Sequence, residues 1–330
     1  MIFFSFSLFI AGIPNIPVHA TWNQNGEIVA GGNGSGNATN ELWSPFGLYI
    51  DDDQTIVIAD HDNNRIIQRK MGHTDARIVA GGNGEGNGPN QLHNPTDVLI
   101  AKQTDSLIIC DRSNRRVVQW SRCNGTTQGK ILIGNISCYG LATDDQRYLY
   151  VSDTKKHEVI RYQITNENGT LVADGNGTVA GGNGSGAGPN QLNTPAFIFV
   201  DQEQTIYVSD RGNRRVMKCN KDVKQEIFVP EDEDNENALT KLSNPQGLFV
   251  DTLGTIYVAD EGNHKVMRWS NGTKQVTVIV SGNAKEEEEH QLKRPMGLSF
   301  DRDGNLYVVD GGSNGTNSVK RFDIEKTHCQ

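Results

Sequence analysis

The sequence predicts an all-β fold, a six-bladed β-propeller of four-stranded antiparallel blades with an N-terminal strand closing the last blade. Three observations predict it. One phrase recurs six times, around Pro45, Pro95, Cys138, Pro195, Pro245 and Pro295, at spacings of 50, 43, 57, 50 and 50 residues, and a fixed period of that size marks a repeat architecture. Each copy breaks into short apolar or β-branched runs separated by polar turns. Copy six ends without a fourth run, while an unassigned one, Glu27 to Gly32, precedes copy one.

Copy one shows the elements in order. Gly47 to Asp51 is a short apolar run, as expected of a strand buried on both faces. A turn at Asp52 to Gln54 leads to the β-branched run Thr55 to Ala59, and a turn at Asp60 to Asn64 leads to Arg65 to Arg69. Arg77 to Ala80 forms the fourth strand and ends in Gly81-Gly82. Later fourth strands are expected at Ile131 to Ile133, Thr178-Val179, Glu226 to Phe228 and Val276 to Val280. The repeat cores cover about 44–70, 94–120, 137–162, 194–219, 244–269 and 294–322. No linker interrupts them, so residues 21–330 read as one domain. Pairing Glu27 to Gly32 with the last blade joins the two ends within one sheet and removes an exposed edge.

The first 20 residues read differently. Ile2 to Ile13 is an almost unbroken apolar run, followed by two prolines and the small-residue pattern Val18-His19-Ala20. That is the pattern expected of a secretory signal with cleavage after Ala20, lacking only the usual basic residue near its start, and a buried N-terminal strand is the alternative reading. Its apolar run is too short to span a bilayer, and no other segment approaches the required length. Nine Asn-x-Ser/Thr sequons fit an exported chain: Asn33, Asn37, Asn124, Asn135, Asn168, Asn176, Asn183, Asn271 and Asn314. The expectation is a secreted, glycosylated monomer. A net charge of −9 supplies no basic surface for phosphates, which excludes nucleic acid as the expected partner.

The repeated phrase resembles the NHL repeat, over residues 27 to 322. Its marks are Pro-x-Gly-Leu with a downstream Asp, then Ile/Leu-Tyr-Val-Ala/Ser-Asp, then Asn-x-Arg/Lys-Val. Copy two carries Asp97 and copy four Phe197 where the phrase has glycine, and copy three carries Cys138 for proline and Lys156 for asparagine. Gly311 to Ser318 stretch the turn after Asp310. The resemblance implies a propeller that binds a protein or glycan on one rim, without catalysis or cofactor. Two alternatives share the fold: a metal-dependent enzyme similar to peptidyl-hydroxyglycine lyase or the propeller hydrolases, and an adaptor of the tripartite-motif type. The lyase holds its metal with axial histidines. The positions after each proline slot here are Phe46, Thr96, Tyr139, Ala196, Gln246 and Met296, and the histidines scatter over turns and tails. RING, B-box and coiled-coil segments are missing from the sequence, against the adaptor reading.

Several constellations invite chemistry. Asp60, Asp111, Asp153, Asp210, Asp260 and Asp310 recur on one rim, and turn formation with Asn63, Asn114, Asn213 and Asn263 explains them all. Arg65, Arg116, Arg215 and Lys265, five positions on, are placed to pair with a nearby carboxylate. The glycine runs at 31–36, 81–86 and 181–186 precede no helix and are expected to join blades, not to hold phosphate. Acidic runs at Glu231 to Glu236 and Glu286 to Glu289 occupy the same connections in later copies. Of five cysteines, Cys110 ends a second strand and Cys138 begins the next blade's first strand, which places both on one rim and predicts their disulfide. The pairing of Cys123, Cys219 and Cys329 stays open. Asp97, at an innermost strand near the axis, is the single candidate metal ligand, with a solvated pore carboxylate as its alternative.

Overall fold

The structure, a computed structural model, describes residues 12–73, 75–122, 127–164, 171–220, 226–229, 241–270, 276–282, 291–311 and 317–325. They form six four-stranded antiparallel sheets. Blade 1 contains Pro45–Ile50, Thr55–Asp60, Arg65–Lys70 and Ala76–Gly81. Blade 2 contains Pro95–Ala101, Ser106–Asp111, Arg116–Ser121 and Gly129–Gly134. Blade 3 contains Cys138–Thr143, Tyr148–Asp153, Glu158–Ile164 and Leu171–Gly181. Blade 4 contains Pro195–Val200, Ile206–Asp210, Arg215–Cys219 and Glu226–Val229, and blade 5 contains Pro245–Val250, Ile256–Asp260, Lys265–Trp269 and Val276–Ser281. Blade 6 takes Pro295–Phe300, Leu306–Asp310 and Ser318–Phe322 from the end of the chain and Glu27–Gly31 from its beginning.

The seam is set by pairing. Glu27 faces Arg321, Ile28 faces Lys320, Ala30 faces Val319 and Gly31 faces Ser318, with a bulge at Val29. Val29 and Ala30 are buried in a cluster with Leu42, Ile56, Ile58 and Val319, so the seam strand also packs onto blade 1. First strands contact those of both neighbouring blades, blade 6 against blade 1 included, and the ring is closed.

Apolar contact between blades accounts for the core. The whole of Thr55–Asp60 is buried because a second strand lies between two neighbouring sheets. Val57, Ala59 and Ile66 of blade 1 pack on Val98, Leu107, Ile109 and Trp120 of blade 2. Thin sheets stacked in this way need few apolar residues, which reconciles a hydrophobic fraction of 35% with a dry core. Leu42, Leu92, Leu192, Leu242 and Leu292, from the connections between blades, are buried plugs. At Gly81, φ is +67° and a Cβ would sit 2.4 Å from the Asn64 carbonyl oxygen, so only glycine fits between that carbonyl and Leu92.

One expectation is corrected. The fourth strand of blade 3 is much longer than Thr178-Val179: it spans Leu171–Gly181, with Ile164 facing Leu171. The third strand, Glu158–Ile164, runs far enough for a hairpin, and bulges at Ile160 absorb the additional residues. Among the described residues the helical elements are three 3-10 turns, Lys102–Thr104, Arg211–Asn213 and Glu261–Asn263.

Residues 12–22 cross the lower face and belong to the packed structure. Ile16, Ala20 and Trp22 are buried with Phe300, Leu306 and Phe322, and the Trp22 indole N–H donates to the Gly304 carbonyl at 2.9 Å. Cys110 and Cys138 form a disulfide with Cα atoms 5.8 Å apart, fastening blade 2 to blade 3. Cys219 is buried, and Cys123 and Cys329 lie outside the described residues.

Candidate functional site at the upper end of the axis

The upper face carries the turns between second and third strands and the connections that enter each first strand. Its frame is built by the recurring aspartates. Asp60 is fully buried: Oδ1 accepts the Trp43 N–H at 2.7 Å, and Oδ2 accepts Asn63 Nδ2 at 2.9 Å and Arg65 Nε at 2.7 Å. Arg65 then donates to the carbonyls of Asn37, Ala38 and Glu41 in the glycine-rich connection. Asp111 with Arg116, and Asp210 with Arg215, repeat the arrangement. The segments just after the glycine runs therefore present carbonyls to the guanidiniums, and Gly36, Gly86 and Gly186 give theirs to Asn63, Asn114 and Asn213, which is the reverse of an anion cradle.

Blade 6 breaks the pattern and repairs it. Ser318 stands opposite Asp310 where blade 1 has Arg65. Lys320, two positions on, is fully buried and donates to Asp310 Oδ2 at 2.8 Å and to the Gln291 carbonyl at 2.5 Å.

This frame surrounds an aromatic plug. Tyr139, from the first strand of blade 3, is completely buried at the axis, and its hydroxyl donates to Gln246 Oε1 of blade 5 at 3.0 Å. Phe197 meets its ring edge-on at 5.4 Å and Phe46 at 6.0 Å. Burial pushes the phenol up to about 12, against the opposing pull of Arg211 and Arg112, so it remains a neutral donor. Around the plug stand four of the residues that follow the frame aspartates: His61, Arg112, Arg211 and Glu261. The Arg112 guanidinium carbon lies 5.0 Å and that of Arg211 5.6 Å from the Tyr139 ring centroid. His61 stacks on Phe46 at 4.3 Å, its Nδ1 is 2.7 Å from Asp62 Oδ1, and burial holds its pKa below the usual value. Glu261 is gripped by the Arg294 fork at 2.8 and 2.6 Å and accepts Asn244 Nδ2 and Gln246 Nε2. Trp43 is 50% exposed on the same face.

Sequence reasoning inspected Phe46, Tyr139 and Gln246 for histidine and missed their role as the plug. The missed signal was variation inside a constant frame. The position after each turn aspartate changes from copy to copy while its neighbours repeat, which is where a shared scaffold carries its individual chemistry.

Asp97 lies at the axis below the plug. Its Oδ1 accepts the Val98 N–H at 2.9 Å and Oδ2 the Leu141 N–H at 2.8 Å, so it stitches blade 2 to blade 3. It is 5% exposed and is therefore a buried carboxyl. It lines a cavity of about 130 Å³ with Tyr49, Leu99, Phe199 and Phe249, which Gly12 to Pro14 border from below. Among the described residues no three His, Cys, Asp or Glu converge to hold a metal ion. Burial raises the Asp97 pKa to about 7, with the two backbone N–H groups opposing. A folded pKa above the unfolded 3.8 means that the folded state binds the additional proton. The stability Asp97 contributes is thus complete below pH 3.8 and is lost as pH rises to about 7. Restoring the motif glycine with Asp97→Gly should remove that decline. Urea midpoints at closely spaced pH values test this; an identical decline in the variant contradicts the assignment.

Three further histidines serve local turns: His157 Nδ1 accepts the Thr194 N–H at 3.0 Å, His264 Nδ1 meets the Lys293 carbonyl, and His93 lies 3.3 Å from Glu85. Of the sequons, Asn33, Asn37, Asn135 and Asn183 are exposed. Asn33 and Asn183 use Nδ2 to close their own loops, as does Asn83, which is no sequon. Asn176 lies within Leu171–Gly181, and Asn124, Asn168, Asn271 and Asn314 fall outside the described residues, as do the acidic runs.

The NHL repeat family model matches residues 242–268, the core of copy five. A search of curated proteins found no match. Among solved structures the chain is similar to a protein of unknown function from Bacteroides thetaiotaomicron VPI-5482, at TM-score 0.66 and 13% identity over 92% of this chain and 76% of that one. An auxiliary nutrient binding protein from the same organism aligns at TM-score 0.65 and 13% identity, over 97% and 76%. Virginiamycin B lyase from Staphylococcus aureus aligns at TM-score 0.56 and 9% identity, over 92% and 100%. At such identities the likeness is one of fold, and that fold carries binding proteins and enzymes alike.

Proposed function

We propose that this NHL-repeat propeller is a secreted, non-enzymatic binding module that engages a partner protein on its upper face. The observation that carries the reading is the chemistry gathered there. Trp43 is half-exposed, and Arg112 and Arg211 stand half-buried around the Tyr139 plug. Tryptophan and arginine are among the residues that dominate interface energies, and here a disulfide-pinned, closed ring presents them pre-organised.

Export fits the same reading. Cleavage after Ala20 removes Ile16 and Ala20 from their apolar contacts and leaves Trp22 and the seam strand in place. No helix among the described residues is long and apolar enough to cross a membrane.

Photo-crosslinking from the two faces tests the proposal. A benzoylphenylalanine replacing Trp43 in the secreted protein should give partner adducts that excess unlabelled protein suppresses. The same probe replacing Leu253, an exposed apolar residue on the lower face, should not. Equal labelling from both positions, or labelling from Leu253 alone, contradicts the upper face as the binding surface.

A further inference from the structure

We infer that Arg112 and Arg211 form a carboxylate-binding site for an acidic side chain of a partner protein. The inference rests on the upper face being the binding surface and names the group that it recognises. The chain carries a net charge of −9, yet two cations stand against one ring beside the axis. Among the described residues, neither guanidinium has a carboxylate within 4.0 Å. Of the carboxylates beside them, Glu261 is held by Arg294 and Asp62 Oδ1 lies 2.7 Å from His61 Nδ1.

Geometry supplies the second argument. Both guanidiniums lie within 6 Å of the centroid of one buried ring. Cation–π contact holds part of each group against the plug, Arg211 also hydrogen-bonds the Tyr139 side chain, and a guanidinium's five N–H donors exceed those contacts. A carboxylate accepts two parallel N–H bonds from such a fork, and half-burial strengthens them relative to bulk water. Apolar groups border the guanidiniums beside the polar ones, with buried Tyr139, Ala196 and Phe197 and half-buried Phe46 in one cluster. That surrounding suits a carboxylate on an apolar stem, as a glutamate presents, better than a free inorganic anion. Sequence gave the location no prominence because Arg112 and Arg211 are nearly 100 positions apart. The packing of blades 2 and 4 on either side of blade 3 brings them to one ring.

Fluorescence anisotropy with a labelled peptide alternating glutamate and leucine tests the site. Its glutamine counterpart and inorganic phosphate, as competitor, complete the probes. The glutamate peptide should bind at least about tenfold more tightly than the glutamine peptide, as removal of a charge-assisted pair requires. Arg112→Gln with Arg211→Gln should abolish that preference at an unchanged melting temperature. The double lysine variant, which keeps charge without the fork, should recover part of it. Arg77→Gln with Lys130→Gln, which removes two exposed charges from outer strands, should leave binding intact. Equal binding of both peptides, or no loss in the double glutamine variant, overturns the inference. Displacement by phosphate at the peptide's own dissociation constant overturns the preference for a carboxylate on an apolar stem. Upper-face crosslinks without glutamate preference would leave the binding surface standing and remove only this site. Loss of both removes both.

Discussion

A chain that begins at Asn33 should lose its cooperative unfolding transition and elute as aggregate. Removing Glu27–Gly31 leaves Ser318–Phe322 as an open edge with unpaired backbone groups, the kind of edge that recruits other chains. It also uncovers the blade 6 and blade 1 cluster that Val29 and Ala30 complete. Burial of a valine side chain alone is worth about 1.5–3 kcal/mol. With the lost ladder and the opened ring, the deficit becomes a large fraction of the roughly 5–15 kcal/mol that holds a typical protein folded. Urea unfolding followed by circular dichroism, with gel filtration alongside, checks this. A chain beginning at Thr21 keeps the strand and should unfold cooperatively. Matching midpoints for the two chains would show that the N-terminal strand does not hold the ring.

Lys320→Met should cost about 3–5 kcal/mol, the penalty for leaving one member of a buried ion pair alone. Lys320 and Asp310 are both completely buried, and the ammonium also satisfies the Gln291 carbonyl of the neighbouring connection. Methionine fills similar volume, so the measured loss reports the uncompensated carboxylate and not a cavity. Asp310 keeps the backbone N–H groups of Lys293 and Arg294, which lets the variant fold and be measured. Denaturant midpoints read the difference. A change below about 1 kcal/mol would mean that Asp310 does not depend on this lysine.

The fold was legible because it is repetitive. Turn residues, β-branched runs and a fixed period are local signals, and six copies reinforce one another. The seam was legible by bookkeeping: one blade lacked a strand and one strand lacked a blade. Cys110 and Cys138 could be paired because strand order alone places them on one rim. The site was less legible for a physical reason. Repetition reports what all blades share, whereas the axial depression is made from what they do not share. Tyr139 acts through a hydroxyl that crosses the axis to Gln246, 107 positions away in sequence. No spacing rule connects those residues. Lys320 was hidden in the same way, since its role depends on a shift of two positions from where blades 1, 2, 4 and 5 place their cation.

Cross-linking the two ends tests ring closure most directly. Glu27 and Arg321 face each other across the seam, so cysteines at both positions lie on adjacent strands. Mild oxidation of the Glu27→Cys, Arg321→Cys variant should yield a monomer in which peptide mapping finds those two cysteines joined and Cys110–Cys138 retained. Recovery of both introduced cysteines as thiols, or joined only between chains, would contradict a propeller closed by its own N-terminal strand.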